Sequence, residues 1–212
     1  MRILRPATQF ATIAQQGEVA HLGIWVFLAT EIMFFGALIF TYVTYRHLHP
    51  VDFAAAAAHT ELWCGTVNAV LLLTSSLTMV LGIDACTAGR RRIAVRWLAA
   101  TILLGLGFLG VKSYEYVADY HEQVVPALNF IFRHGEHPPA ELFWVFYFIA
   151  TLLHAVHMTI GLGLVLYMTY RVCRGDFTRF YRAPLEVVGL YWSFVDTVWI
   201  FLFPMLYLNG RS

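Results

Sequence analysis

Four ionisable side chains lie in the middle of long apolar segments of the sequence. They are Glu31 in the first segment, His154 and His157 in the fourth, and Asp196 in the fifth. Carboxylates and imidazoles in that setting can transfer protons, ligate a metal, or hold helices together through hydrogen bonds. A fifth candidate is Glu115, which follows Lys112 by three residues and predicts a local ion pair on a helix.

The spacing of these residues does not favour a redox centre within the chain. His154 and His157 share one face of a helix, so they do not bracket a haem from opposite sides. A di-iron carboxylate site needs two Glu-x-x-His motifs, and the sequence has a single one, from Glu18 to His21. The three cysteines form no C-x-x-C pair. We therefore expect this chain to bind neither a metal nor a cofactor of its own.

The composition is typical of a membrane protein. Of the 212 residues, 59% are apolar and only 13% are charged, whereas a soluble domain is about 25% charged. Five apolar stretches reach the roughly 20 residues that a spanning helix needs, namely 21–45, 62–83, 95–117, 142–170 and 185–208. The sequence predicts a single all-α membrane domain over residues 1–212, a bundle of five transmembrane helices. The net charge of +1 gives no reason to expect a nucleic-acid partner.

The charges of the connecting segments predict how the helices are oriented. Ten arginines fall in the N-terminal segment and in the second and fourth loops: Arg2, Arg5, Arg90, Arg91, Arg92, Arg96, Arg171, Arg174, Arg179 and Arg182. The opposite side has Arg46, Arg133 and Arg211. Because positively charged loops stay in the cytoplasm, we expect a cytoplasmic N-terminus and a C-terminus on the outer, periplasmic side.

Aromatic residues near the predicted helix ends are expected at the level of the lipid headgroups. Trp and Tyr are enriched there because their rings are amphipathic. The residues concerned are Trp63, Trp97, Trp144, Tyr45, Tyr170 and Tyr207.

The depth of the polar residues predicts one interior layer. Glu31, His154, His157 and Asp196 lie near the midpoints of three helices. Charged groups at that depth normally face the interior of a bundle, so we expect these four to meet one another. Three interpretations of the layer stay open: a structural hydrogen-bonded network, groups that take up protons, or a site for a lipid headgroup or another substrate.

From residue 22 to residue 208 the chain resembles subunit III of the haem-copper respiratory oxidases. The resemblance depends on several motifs in register: residues 23–28 (GIWVFL) followed by Thr30 and Glu31, residues 114–116 (YEY), residues 154–157 (HAVH) with Gly161, and residues 191–199 (YWSFVDTVW). Two departures are visible. Ser193 stands where many members have histidine, and the stretch between Tyr116 and Leu142 matches no family pattern.

The resemblance implies a non-redox subunit of a proton-translocating terminal oxidase, in the five-helix form of the family, in the bacterial inner membrane. The implied partners are catalytic subunit I and electron-entry subunit II, which would contain the haem and copper, together with phospholipid bound in a cleft. Glu31 looks like the membrane glutamate of the family, and His154 and His157 look like its fourth-helix histidines. The implied role is support of proton uptake, lipid binding and stability of the complex, without a catalytic residue.

Two other functions stay open at this point. Residues 203–208 (FPMLYL) resemble the accessory membrane subunits of nitric oxide reductases. A function of another class is a stand-alone proton or ion transporter that uses Glu31 and Asp196. Five helices provide no paired inverted repeats, which makes the sequence unlike many secondary transporters.

Overall fold

The computed structural model describes residue 9 and residues 12–126, 137–175 and 183–209. Its regular elements are α1 (Ile13–Leu48), α2 (Pro50–Ala58), α3 (Leu62–Thr87), α4 (Arg91–His121), α5 (His137–Arg174), α6 (Ala183–Phe203) and a π-helical turn (Pro204–Leu208). Within those residues every regular element is helical. Arg2, Arg5, Arg133, Arg179, Arg182 and Arg211, on which the predicted orientation partly depends, lie outside the described residues.

Five helical segments are long and apolar enough to cross a membrane. They are Gln15–Leu48, Leu62–Thr87, Arg91–His121, Pro139–Arg174 and Ala183–Leu208. The prediction of an all-α protein with five spanning helices is thereby confirmed. Most of the helices continue beyond the apolar stretches, because a helix keeps its backbone hydrogen bonds after its side chains have become polar. Near the end of the last span, Pro204 has no N–H to donate, and the helix widens into a π turn there.

The short helix α2 begins at Pro50, whose fixed φ suits the first position of a helix. It packs against α5 and the π turn. Phe53 is fully buried and its ring meets those of Tyr42 and Phe143 at 5.5 and 5.8 Å between centroids. This segment therefore closes one end of the bundle.

The four helices α3 to α6 form the core of the bundle, and α1 lies at its edge. α3 packs along α4, α4 packs against α5, and α6 contacts both α3 and α5. α1 contacts mainly α6 and, over a shorter stretch, α5. Close approach depends on small residues. A Cβ atom at Gly105 of α4 would lie 2.8 Å from Leu162 Cδ2 and 2.9 Å from Trp192 Cη2.

The core is rich in aromatic rings, including two that the sequence placed at the headgroup level. Trp144 and Tyr207 are fully buried, so their rings face the protein interior and not the lipid headgroups. Trp63, Trp97, Tyr45 and Tyr170 are exposed on the surface, as expected. Position along a helix sets the depth of a side chain in the membrane, but the angle around the helix axis decides whether it faces lipid or the interior.

We predict that Gly105→Ala destabilises the protein, whereas Gly110→Ala does not. The added methyl group at position 105 must displace the rigid indole of Trp192, and such overpacking costs about 1–3 kcal/mol. Nothing lies within 4 Å of a Cβ at Gly110 on the same helix. Thermal denaturation of the purified variants measures the difference, and equal melting temperatures would contradict the close packing at Gly105.

Candidate functional site

Glu31 of α1 and His157 of α5 form a pair across the interface of these two helices. Glu31 Oε2 lies 3.2 Å from His157 Nε2, and His157 Nδ1 lies 2.7 Å from the carbonyl oxygen of Leu153. A carbonyl oxygen only accepts, so Nδ1 carries a hydrogen. Nε2 then donates to an ionised carboxylate or accepts from a protonated one. The pair is therefore a direct contact between a carboxyl group and an imidazole across the α1–α5 interface.

The pair lies in the wall of a cleft of about 490 Å³ between α1, α5 and α6. The other lining residues are Ile24, Phe27, Ile160, Leu164, Val187, Val188 and Tyr191. The hydroxyl of Tyr191 donates to the carbonyl oxygen of His157 at 3.1 Å. An apolar cleft with a single polar pair in its wall has the chemistry that a lipid acyl chain or another elongated apolar molecule requires.

A second histidine–carboxylate pair crosses the α1–α6 interface. His21 Nε2 of α1 lies 3.3 Å from Glu186 Oε2, in the first turn of α6. Val187, which lines the cleft, follows Glu186 directly. Both pairs therefore lie along the groove between α1 and the rest of the bundle.

Asp196 lies in a separate polar group between α3 and α6. The hydroxyl of Ser75 donates to Asp196 Oδ2 at 3.3 Å, and Trp192 Nε1 donates to the same hydroxyl oxygen at 3.1 Å. Asp196 Oδ1 has no hydrogen-bond partner among the described residues. This carboxyl group is buried inside the core and does not reach the cleft.

His154 is in a third environment. It is fully buried, and its ring packs against those of Trp199 and Phe108, with centroids 5.1 and 5.3 Å away. Neither ring nitrogen has a hydrogen-bond partner among the described residues.

The expectation that all four residues meet in one layer is therefore only partly correct. The structure brings Glu31 and His157 together, and it places His154 and Asp196 elsewhere in the interior. The reason is angular. A step of three residues turns a side chain by about 60° from its starting direction, which is enough to direct His157 towards α1 and His154 towards the core.

Glu115 belongs to a buried network that the sequence indicated only in part. The predicted pair is present, with Lys112 Nζ 3.0 Å from Glu115 Oε2. Lys112 also donates to the hydroxyl oxygens of Tyr147 at 3.0 Å and Tyr207 at 2.6 Å, which accounts for all three of its protons. Both tyrosine hydroxyls lie within hydrogen-bond distance of Glu115 Oε1, at 2.6 and 2.7 Å.

Burial makes this Lys112 cluster, defined as Lys112, Glu115, Asp119, Tyr147 and Tyr207, an energetically sensitive part of the bundle. Lys112 has an exposed side-chain fraction of 2% and Glu115 of 0%. Asp119 joins the cluster through the hydroxyl of Tyr147 at 3.2 Å. Tyr147 and Tyr207 come from α5 and the π turn, so spacing along α4 could not reveal them. The sequence did contain one indication of such a cluster. Lys112 lies inside an apolar stretch, and a lysine at that position must find hydrogen-bonding partners within the bundle.

Among the described residues, no three His, Cys, Asp or Glu side chains lie close enough together to hold a metal ion. The acid–base groups at hand are the two histidine–carboxylate pairs, the Asp196 group and the Lys112 cluster. This chemistry suits the holding or transfer of protons and the joining of helices.

The chain matches the family described as "Cytochrome c oxidase subunit III" over residues 8–211. It is 29% identical over 195 residues to the probable quinol oxidase subunit 3 of Staphylococcus haemolyticus (strain JCSC1435), covering 92% of this chain and 91% of that protein. The probable quinol oxidase subunit 3 of Staphylococcus aureus (strain USA300) is 28% identical with the same coverage. The chain therefore belongs to the cytochrome c oxidase subunit III family, and it is a subunit III of a haem-copper terminal oxidase.

Proposed function

We propose that this chain is the non-redox subunit III of a proton-translocating oxidase in a bacterial cell membrane. In this proposal it packs beside catalytic subunit I in a complex that also contains electron-entry subunit II, and those partners hold the haem and copper. Family membership and the spanning helices support the proposal. The similar proteins are named quinol oxidase subunits, which favours quinol over cytochrome c as the donor of the complex.

The proposed orientation has the N-terminus in the cytoplasm and the C-terminus outside. Arg90, Arg91, Arg92 and Arg96 lie at or near the start of α4, and Arg171 and Arg174 lie in the last turn of α5. Because α4 and α5 are consecutive spans that cross the membrane in opposite directions, the start of α4 and the end of α5 lie on the same side of the membrane. The positive-inside bias then makes that side cytoplasmic.

The pair of Glu31 and His157 in its apolar cleft is the observation that carries the proposed role. A carboxylate facing hydrocarbon costs roughly 2.5–3.5 kcal/mol or more, and the imidazole of His157 at 3.2 Å offsets part of this cost. The cleft beside the pair is apolar along α1 and α5, which suits the acyl chain of a phospholipid. We therefore assign lipid binding to the cleft and support of proton uptake to the pair.

Purification from the native membrane tests the assembly. We expect the chain to copurify with a multi-haem subunit and an electron-entry subunit, and the optical spectrum of the complex to show the haems of a terminal oxidase. Haems typical of a nitric oxide reductase would favour the accessory-subunit alternative. Proton or ion flux through liposomes that contain this chain alone would favour the transporter alternative.

Glu31→Gln tests the pair. Glutamine keeps the size and a hydrogen bond to His157, but it cannot release a proton, so we expect turnover of the complex to decline faster while its haem content stays constant. Glu18→Gln is the matched control, because Glu18 lies on an exposed face of the same helix. If the Glu31→Gln complex had the same turnover and the same inactivation rate as the Glu18→Gln complex, the pair would have a structural role only.

Lys112→Met tests whether the Lys112 cluster stabilises the subunit. The substitution leaves Glu115 buried without its cation, and breaking a buried pair in this way costs about 3–5 kcal/mol. The double variant Lys112→Met with Glu115→Gln removes both charges and should recover much of that loss. Chemical denaturation of the purified complex measures both variants. A single variant as stable as the double variant would contradict an ion pair at this position.

A further inference from the structure

Several polar side chains in the core have atoms without a hydrogen-bond partner among the described residues. These atoms are Nδ2 and Oδ1 of Asn68, both ring nitrogens of His154, Oδ1 of Asp196, and Nε1 of Trp144 and Trp199. Unpaired polar groups in an apolar interior are costly, and most buried polar atoms in proteins are paired. So many in one bundle indicate a binding partner that is not part of the chain.

Three of these residues come from helices that pack together in the core: Asn68 belongs to α3, His154 to α5, and Trp199 to α6, which contacts both of the other helices. His154 and Trp199 face each other at 5.1 Å between ring centroids. Asn68 lies on the face of α3 that meets the last turns of the bundle, since it follows Gly65 by three residues and a Cβ at Gly65 would lie 2.9 Å from Tyr207 Cδ1. The ring centroid of Tyr207 in turn lies 6.2 Å from that of Trp199.

Burial restricts what the partner can be. Asn68 and His154 are 0% exposed, so neither a lipid nor a neighbouring subunit can reach them. The indole of Trp199 only donates, a neutral imidazole donates once and accepts once, and the amide of Asn68 does both. A metal cation would not satisfy the indole, and an anion would not satisfy Asp196. Water is small enough and both donates and accepts.

We propose that the core binds ordered water between His154, Trp199 and Asn68. The site lies between two polar groups already described. On one side, Lys112 Nζ is 5.6 Å from the ring of Trp199. On the other, Asp196 precedes Trp199 by one helical turn and bonds to Ser75. The site is separate from the cleft that contains Glu31.

A cryo-electron microscopy map of the intact oxidase complex, at a resolution that shows ordered water, tests the proposal directly. We expect density at hydrogen-bond distance, about 2.7–3.2 Å, from Trp199 Nε1 and from a ring nitrogen of His154. Clear density for both side chains with no peak between them would overturn the proposal. A map in which protein atoms satisfy these groups would do the same.

Asn68→Leu gives an independent test through the sign of its effect. If the site is dry, leucine removes an unsatisfied amide of similar size and should raise the melting temperature of the complex. If water bridges the amide, the substitution removes its hydrogen bonds, and we expect the melting temperature to fall by about 2–4 °C. Leu72→Met, one turn further along the buried face of α3, is the control for repacking. A rise for Asn68→Leu above this control would overturn the proposal.

Discussion

Lipid offers no hydrogen bonds, so the ionisable groups that the bundle buries must find partners within it. Within the described residues the bundle meets this constraint for some of its ionisable groups, whereas both ring nitrogens of His154 and Oδ1 of Asp196 have no partner in the chain. The Lys112 cluster satisfies a cation with one carboxylate and two phenols, Glu31 meets an imidazole at the edge of the bundle, and Asp196 is held by a serine. The Lys112 cluster joins α4 to α5 and the π turn, and the Asp196 group joins α3 to α6, so polar contacts as well as apolar packing connect the core helices.

The two histidines of α5 show how one helix serves two environments. His157 and His154 are three residues apart, yet the first faces the cleft beside α1 and the second faces the aromatic core. α5 therefore separates the apolar cleft from the aromatic core. A substitution at one histidine acts on a different set of neighbours from a substitution at the other.

Hydropathy and local spacing predict much of the fold but little of the site. The five spans and the pair of Lys112 with Glu115 follow from residues close together in the chain. The partners of that pair do not, because Tyr147 and Tyr207 approach from other elements. The positions of Glu31 and His157 along their helices likewise predicted that both lie at a similar depth in the membrane. Which side chains meet depends on the rotation of each helix about its axis, and this rotation directs His157 towards Glu31 and His154 into the core. Rotation depends on packing between helices, which a single sequence records only weakly.

The edge position of α1 has a consequence for access to the cleft. Its polar contacts with the other spanning helices include the two histidine–carboxylate pairs and the hydroxyl of Tyr42, which donates to the carbonyl oxygen of Met205. α1 also contributes Phe35 and the fully buried Tyr42 to the apolar core. Because Ile24, Phe27 and Glu31 form one wall of the cleft, a lateral displacement of α1 would open the cleft along its length to the surrounding bilayer.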